Sequence, residues 1–254
     1  MSLQPKDISG ITAIIPARMA STRLPGKPLL DLCGKPIIQW VYERALSAGV
    51  FESILVATPD DDIVNAVRAF GGQAVLTSIE HRSGSDRLAE VCRKMRTGDI
   101  IVNVQGDEPL LDPKAVETLA LALREDESIR MGSLMRALDE SDDADDPNLV
   151  KVVVDRNGFA LYFSRSLIPY VRDAGVTAKV YGHIGVYAYR RDFLLEFTST
   201  PAAMLEKAES LEQLRALENG YRIKMIETTA RAVGVDTPED LERVRALVSG
   251  GGAL

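Results

Sequence analysis

The chain of 254 residues carries 37 Asp and Glu against 30 Lys and Arg, a net charge of −7, and 46% of its residues are hydrophobic. This composition is typical of a folded globular protein, and the acidic balance argues against nucleic acid as a partner. The chain has no apolar run of about 20 residues, no secretory signal in MSLQPKDISG and only two cysteines. We therefore expect a cytoplasmic protein without a membrane partner or a disulfide framework.

The first half of the chain alternates short apolar runs with amphipathic segments. Buried strands are predicted at four runs rich in β-branched residues: 11–15, 54–57, 74–77 and 100–104. Hydrophobic residues at helical spacing follow these runs, as at Ile63, Ala66, Val67 and Phe70. Strands separated by helices predict an α/β fold with a doubly wound, mainly parallel sheet.

The second half departs from this alternation. Strand-like segments at 150–154, 160–163 and 183–189 are joined by turns, and Asn157-Gly158 is typical of a hairpin. They predict a β-rich lobe inserted into the α/β sheet. The chain then returns to helix at 201–219 and to strand at 223–226, and Thr237-Pro238-Glu239-Asp240 is typical of the start of a last helix.

The segment after the first predicted strand concentrates positive charge. Arg18, Arg23 and Lys27 lie within ten residues that contain no acid, among small residues such as Ala17 and Gly26. Ligands of doubly wound sheets bind outside the carboxyl ends of the strands, where this segment is expected. Three cations suit a triphosphate, and a solvated basic loop is the alternative. The P-loop and dinucleotide-binding patterns are both absent.

Two carboxylates follow other apolar runs. Asp107 comes after 100–104 and Asp236 after 232–235, so both are expected at the carboxyl ends of strands. Because Mg²⁺ in proteins takes one or two carboxylates together with phosphate oxygens and water, the pair predicts a phosphoryl- or nucleotidyl-transfer site. The alternatives are that Asp107 caps a turn before Pro109 and that Asp236 only leads into the last helix.

Six ordered blocks resemble the 3-deoxy-manno-octulosonate cytidylyltransferase (CMP-Kdo synthetase) family: PARMASTRLPGKPL, NVQGDEPLL, ALYFSRSLIPY, HIGVYAYR, LEQLRAL and GVDTPEDLERV. The resemblance implies a Rossmann-like fold of the nucleotide-diphospho-sugar transferase type, a homodimer, and dependence on Mg²⁺. It also implies transfer of CMP from CTP to 3-deoxy-D-manno-octulosonate (Kdo), with release of pyrophosphate, for lipopolysaccharide biosynthesis. A single domain over 1–254 is expected, with a nucleotide-binding core at 10–130 and 220–248 and an acceptor and dimerisation lobe at about 131–219.

The resemblance also implies the site residues. CTP would be bound by Ala17, Arg18, Lys27, Ser83, Arg87 and Gln105, to which we add Arg23 from the basic segment. Kdo would be bound by Arg165, His183, Tyr187, Glu212 and Gln213. Asp107 and Asp236 would bind Mg²⁺ and, with Arg18 and Lys27, form the catalytic set for in-line attack of the anomeric hydroxyl of Kdo on the α-phosphorus of CTP.

The chemistry of the acceptor residues agrees with a sugar acid. Arg165 offers a planar pair of donors to a carboxylate, and His183 and Tyr187 are four residues apart, which places both on one strand face. Sialate or an amino analogue of Kdo is an alternative acceptor, and a non-catalytic nucleotide-sugar sensor is an alternative function.

Other conspicuous features are interpreted structurally. The acidic stretch 139–146 lacks the pattern of a calcium loop and is expected to be solvated and self-repelling. Cys33 and Cys92 are expected to be small buried residues, and Trp40 is expected in the core.

Overall fold

The computed structural model describes residues 10–21, 23–173 and 175–250. The strands are β1 (Ile11–Pro16), β2 (Asp31–Leu32), β3 (Lys35–Pro36), β4 (Ser53–Thr58), β5 (Gln73–Leu76), β6 (Ile100–Asn103), β7 (Met131–Ala137), β8 (Lys151–Val154), β9 (Ala160–Ser164), β10 (Tyr181–Arg190) and β11 (Lys224–Glu227). The helices are α1 (Ile37–Ser47), α2 (Asp61–Ala69), α3 (Gly84–Lys94), α4 (Pro113–Glu125), α5 (Arg191–Ser199), α6 (Met204–Glu209), α7 (Leu214–Glu218) and α8 (Pro238–Ser249). In these described segments, every helix is too short or too polar to cross a membrane.

A nine-stranded sheet runs through the molecule, with seven strands in the order β11-β7-β10-β6-β1-β4-β5 and with β8 and β9 attached beside β10. The pairs β1–β4, β1–β6, β4–β5 and β7–β11 are parallel, whereas β10 runs antiparallel to β6, β7 and β8, and β8 runs antiparallel to β9. After β1, the chain adds β4 and β5 on one side of β1 and then crosses to add β6 on the other side. The order in which strands are added therefore reverses between β1 and β6. This mainly parallel sheet confirms the predicted fold class, and its reversal point is where α/β proteins bind ligands.

The side chains of the buried strands point alternately to the two faces of the sheet, and each face is covered by an apolar layer. On β1, Ala13 and Ile15 face a layer that includes residues of α1, α2, α4 and α8. Ile14 faces the opposite layer, which includes residues of α3, α5 and α7. Because successive side chains of a strand point to opposite faces, one apolar run serves both layers and the strand is buried on both sides.

The inserted lobe is smaller than the sequence predicts. β7, which the sequence analysis missed, and β10 both pair within the central sheet, so that only β8 and β9 extend beyond β10. The residues 201–219 form two helices instead of one, because Ser210 takes a left-handed conformation (φ 52°) that ends α6. The predicted burial of 74–77 is also wrong, since β5 is an edge strand with partly exposed side chains.

One of the structural interpretations is wrong and another is incomplete. Cys33 is exposed in the tight turn between β2 and β3, although Cys92 is buried as expected. The acidic stretch is not simply self-repelling, because Arg136 forms a two-pronged ion pair with the buried Asp142 and Arg231 contacts the same carboxylate. Trp40 packs against the core and donates its Nε1–H to the carbonyl of Leu32 at 2.7 Å.

Candidate active site

An open cleft of about 660 Å³ lies beside the carboxyl ends of β1 and β6. It lies at the reversal point of the sheet, where strands of a doubly wound fold leave a crevice. All nine residues predicted to bind the nucleotide or the metal line this cleft: Ala17, Arg18, Arg23, Lys27, Ser83, Arg87, Gln105, Asp107 and Asp236.

Backbone contacts hold the basic loop in a fixed path along one wall. The N–H of Ala17 donates to the carbonyl of Ala57 at 3.0 Å, which extends the pairing of β1 with β4. The N–H of Met19 donates to the carboxylate of Asp60 at 2.8 Å. Gly26 closes the loop with a left-handed backbone (φ 71°) that favours glycine, and its N–H donates to the carbonyl of Met19. Backbone hydrogen bonds thus hold the segments next to Arg18 and Lys27 in place.

Lys27 lies between the two predicted metal ligands. Its Nζ is 2.7 Å from Oδ2 of Asp107 and 3.0 Å from Oδ1 of Asp236, while Arg23 contacts the other oxygen of Asp236 at 3.0 Å. Burial works to lower the pKa of Lys27, but the charges and hydrogen bonds of Asp107 and Asp236 outweigh it and raise the pKa. Lys27 is therefore a cation at neutral pH. Its contacts bring together Asp107 and Asp236, which are distant in sequence.

Asp236 reaches the cleft by a route that the sequence did not predict. Residues 232–235 form a loop, not a strand, and the N–H of Val235 donates to the carbonyl of Asp107 at 2.9 Å. This backbone contact joins the two segments directly. Asp236 also precedes the capping box of α8, in which Thr237 and Asp240 satisfy each other's backbone N–H groups. The position of Asp236 therefore suits both interpretations, that of a metal ligand and that of a residue leading into α8.

The floor of the cleft is formed by a close approach of two backbones. A Cβ on Gly106 would lie 2.6 Å from the carbonyl oxygen of Pro16, so only glycine fits without displacement of the chain. Next to it, Glu108 is buried, and burial together with the charge of Asp107 raises the pKa of Glu108 to about 8. The loop after β6 therefore presents the carboxylate of Asp107 to the cleft and keeps that of Glu108 inside.

The donors at this site suit a divalent cation with oxygen ligands. Over the described ranges, no group of three or more His, Cys, Asp and Glu side chains is arranged to hold a metal. Asp107 and Asp236 nevertheless converge on one positive charge, that of Lys27. Two carboxylates at an open cleft fit Mg²⁺, which takes its other ligands from phosphate and water.

The opposite wall begins at the N-terminus of α3. Ser83 caps this helix by accepting the N–H of Asp86. Arg87, one turn later, is buried and donates to Oγ1 of Thr77 at 2.5 Å and to the carbonyl of Ser78 at 3.0 Å. Burial and the charge of Arg18 lower the pKa of Arg87. The wall thus adds a helix N-terminus and a fixed cation, both suited to an anionic ligand.

His81 also lines the cleft and was missed by the sequence analysis. Its Nε2 is hydrogen-bonded to the carboxylate of Glu90, which also contacts Lys94 and accepts the N–H of Ser78 at 2.9 Å. Burial of Glu90 opposes ionisation, but the hydrogen bonds from Lys94, Ser78 and His81 lower its pKa to about 2. The sequence signal for this group of residues was the four-residue spacing of Glu90 and Lys94, which favours an ion pair on a helix.

Of the predicted acceptor residues, His183 and Tyr187 lie together on β10. Among the described residues that line the cleft, none is a predicted acceptor residue. The rings of His183 and Tyr187 lie 5.4 Å apart, on one strand face as predicted. Burial lowers the pKa of His183 to about 3. Glu212 accepts the hydroxyl of Ser85, near the start of α3, at 2.7 Å, and burial raises the pKa of Glu212.

One hydrogen bond connects the region of His183 and Tyr187 to the cleft. Nε2 of Gln105, a residue that lines the cleft, donates to the carbonyl of Gly185 in β10 at 3.0 Å. Gly185 lies between His183 and Tyr187 in sequence. The structure therefore brings His183 and Tyr187 beside the nucleotide-side residues without placing them in the same cavity.

The other two predicted acceptor residues, Arg165 and Gln213, differ in their hydrogen bonding. The guanidinium of Arg165 donates to the carbonyls of Glu209, Pro147 and Ser210 at 2.7, 2.8 and 3.3 Å. The donor pair expected for a ligand carboxylate is therefore occupied by carbonyls from the end of α6 and from the loop before β8. Gln213 is buried, and within the described residues its Nε2 has no hydrogen-bond partner.

Known proteins resemble this chain in sequence. A profile of the cytidylyltransferase family matches residues 12–225. A 3-deoxy-manno-octulosonate cytidylyltransferase of Geobacter sulfurreducens is 52% identical over 244 residues, covering 92% of this chain and 97% of the relative. A protein of the same name from Fusobacterium nucleatum subsp. nucleatum is 49% identical over 231 residues, covering 91% of this chain and 94% of the relative.

Solved structures agree with the sequence comparison. A structure of CMP:2-keto-3-deoxy-manno-octonic acid synthetase complexed with CTP is 49% identical and superimposes with a TM-score of 0.91, covering 95% of this chain and 99% of that one. A putative glucose-1-phosphate thymidylyltransferase from Bacillus anthracis, 16% identical with a TM-score of 0.67, covers 93% of this chain and 94% of that one and shares the fold. The chain belongs to the cytidylyltransferase family and, within it, to the 3-deoxy-manno-octulosonate cytidylyltransferases.

Proposed function

We propose that this chain transfers CMP from CTP to Kdo and releases pyrophosphate, as the names of its relatives indicate. The observation that carries the proposal is the position of Lys27, bridging Asp107 and Asp236 in a cleft that is also lined by four arginines. Opposite charges at short range suit a nucleoside triphosphate with its counter-ion. The product would serve lipopolysaccharide biosynthesis.

The basic residues of the cleft would bind the phosphates. Arg18, Arg23 and Lys27 come from one loop and Arg87 from the facing helix, so cations lie on two sides of the cleft. In the transfer, the anomeric oxygen of Kdo forms a bond to the α-phosphorus as the bond to the β-phosphate oxygen breaks. The hydroxyl proton passes to solvent and pyrophosphate leaves. Lys27 and its neighbours stabilise the negative charge that gathers on the leaving pyrophosphate.

We propose that Asp107 and Asp236 bind Mg²⁺. When bound, the ion would neutralise phosphate charge and increase the electrophilicity of the α-phosphorus. The two carboxylates are oriented by Lys27, by Arg23 and by the backbone contact from Val235 to Asp107. These contacts hold both side chains at the mouth of the cleft.

The acceptor would bind along β10. His183 and Tyr187 present uncharged polar groups suited to sugar hydroxyls, and Glu212 extends the same region toward α3. Arg165 would need to exchange its carbonyl partners before it could bind the Kdo carboxylate. Because Gln105 contacts both regions, it is positioned to align the acceptor with the nucleotide.

We also retain the expectation of a homodimer in the cytoplasm. Exposed hydrophobic side chains, suited to contact with a second copy, cluster on β9 and the segment that follows it: Leu161, Leu167, Tyr170, Val171 and Val176. Sedimentation equilibrium would give twice the chain mass, and Tyr170→Asp would shift the protein toward monomer. Dependence on CTP supports a cytoplasmic location.

A panel of substrates tests the activity. Pyrophosphate release is measured for CTP, UTP, ATP and GTP, each with Kdo, its amino analogue, sialate or no acceptor, in the presence of Mg²⁺. We expect release only with CTP and Kdo, and a product with the mass of CMP-Kdo. If sialate or the amino analogue is turned over faster than Kdo, that compound and not Kdo is the acceptor. CTP binding without turnover of any acceptor would favour the sensor.

A further inference from the structure

The central strand β10 contains an irregularity beside the proposed acceptor region. In its pairing with β7, Ile184 lies opposite Leu134 but Tyr187 lies opposite Ser133, so Gly185 and Val186 have no counterpart on β7. A bulge of this kind removes backbone groups from the hydrogen-bond ladder. Because buried carbonyls need partners, something else must satisfy those at 184–186.

Two side chains approach these carbonyls, and each can donate one hydrogen bond to them. The Oγ of Ser133, a fully buried residue, lies 3.2 Å from the carbonyl oxygen of Ile184 and 2.8 Å from that of Val186. Gln105 donates to the carbonyl between them, that of Gly185. A serine at position 133 therefore has a specific purpose, since a hydrocarbon side chain would leave buried acceptors without a donor.

The same hydroxyl contacts His183. The Oγ of Ser133 lies 2.8 Å from Nε2 of the imidazole. A serine hydroxyl has one proton, and the two carbonyls around it can only accept. The Oγ of Ser133 and the carbonyl oxygen of Val186 lie 2.8 Å apart, so the hydroxyl proton must lie between them and the hydroxyl donates to this carbonyl. The contact with His183 then requires that Nε2–H of His183 donates to Oγ.

The proton on Nε2 determines the other ring nitrogen. Burial lowers the pKa of His183 to about 3, so the ring is neutral at physiological pH and carries a single N–H. With that proton on Nε2, Nδ1 has a free lone pair. The rings of Phe163 and Tyr187, at centroid distances of 5.0 and 5.4 Å, pack against the imidazole and restrict its rotation.

We propose that Ser133 is a positioning residue that fixes His183 in the Nε2–H form and thereby makes Nδ1 a hydrogen-bond acceptor for a hydroxyl group of the sugar acid. The second half of this statement rests on the proposed function, because it assigns the acceptor to the region of His183. Ser133 itself acts through the ring and the bulge.

Nitrogen NMR tests the first half without any ligand. The chain contains two histidines, so the spectrum of ¹⁵N-labelled protein holds two imidazoles, and His81→Asn identifies the signals of His183. Long-range ¹H–¹⁵N correlations report which nitrogen carries the proton. We expect Nε2–H in the wild type and in Ser133→Thr, and a shift toward Nδ1–H in Ser133→Ala. Nδ1–H in the wild type overturns the proposal even if Ser133→Ala does not fold.

Thr12→Val is the matched control. It removes another buried hydroxyl, which accepts the N–H of Gly98 at the far end of β1 from the cleft. This variant should leave the signals of His183 in place. An equal shift in Thr12→Val and Ser133→Ala would assign the effect to general loosening of the sheet and would overturn the proposal.

Kinetics test the second half. Ser133→Ala should raise the KM for Kdo roughly tenfold, the value of one hydrogen bond, with the KM for CTP unchanged, and Ser133→Thr should restore the wild-type value. An altered tautomer with an unchanged KM for Kdo overturns the contact with the sugar. Absence of turnover by the wild type overturns the proposed function alone, because the tautomer is measured independently.

Discussion

The nucleotide-side cleft and the acceptor-side strand β10 hold their polar groups in opposite ways. In the cleft the groups are charged, and except for the buried Arg87 of α3 they lie on the segments that follow the strands, where the side chains of Arg23 and Asp236 are 64% and 44% exposed. Along β10 the corresponding groups are uncharged at neutral pH and are packed among aromatic rings. Ionised groups that must bind an anion and its counter-ion cannot be buried without large cost, whereas neutral groups gain direction from burial.

This contrast predicts that loss of charge in the cleft has the largest effect. Asp107→Asn keeps the shape of the side chain and an oxygen that can accept from Lys27, but it removes the negative charge that we assign to the metal. Turnover should fall on the order of 100-fold or more, since a bound metal contributes several kcal/mol to the transition state. Pyrophosphate release under saturating substrates measures the change.

The control for this variant is Asp192→Asn. Its side chain is 94% exposed at the start of α5, and its loss should leave turnover unchanged. Circular dichroism should be the same for both variants and the wild type. Near-normal turnover of Asp107→Asn would contradict the metal assignment.

A matched pair of glycine substitutions compares the packing of the two regions. Gly106→Ala places a Cβ 2.6 Å from the carbonyl oxygen of Pro16, and the free energy of unfolding should fall by about 1–3 kcal/mol. Gly185→Ala meets no atom within 4 Å and should change stability little. Urea unfolding of both variants measures the difference. Equal destabilisation would show that the floor of the cleft is not the tighter region.

A smaller, pH-dependent effect is expected at the wall of the cleft. Hydrogen bonds lower the pKa of Glu90 to about 2 from 4.5, so its ionised form stabilises the fold above pH 4.5, and this stabilisation is lost as the pH falls toward 2. Glu90→Gln should therefore lose stability at neutral pH and show a flatter decline in acid. Glu127→Gln, at an exposed position, is the control. Parallel urea midpoints for wild type and Glu90→Gln across this range would contradict the account.

The difference between the regions also explains what could be predicted from sequence. The basic loop, Asp107 and the capped start of α8 are local patterns next to apolar runs, and the structure assembles them in one cleft. The role of Ser133 depends on the register between β7 and β10, which no local pattern encodes, and β7 itself was missed. Asp236 was placed correctly near the cleft for a wrong reason, because a backbone contact with Asp107 replaces the expected strand.

Errors of burial have the same origin. Cys33 and the strand β5 were expected to be buried on composition alone, but a turn and a sheet edge expose them. The partners of Arg165 come from the loop before β8 and from the end of α6, where the left-handed residue Ser210 ends the helix. Long-range contacts of this kind are not visible in one sequence.

The measurement that tests the division of roles most directly is a crossed determination of two Michaelis constants. Arg18→Met removes one cleft cation without disturbing the pairing of Lys27 with its carboxylates, and His183→Phe removes the ring nitrogens but keeps an aromatic ring between Phe163 and Tyr187. Arg18→Met should raise the KM for CTP about tenfold or more and leave that for Kdo unchanged. His183→Phe should do the reverse. If either variant raises both constants equally, the two regions do not bind separate substrates and the account is wrong.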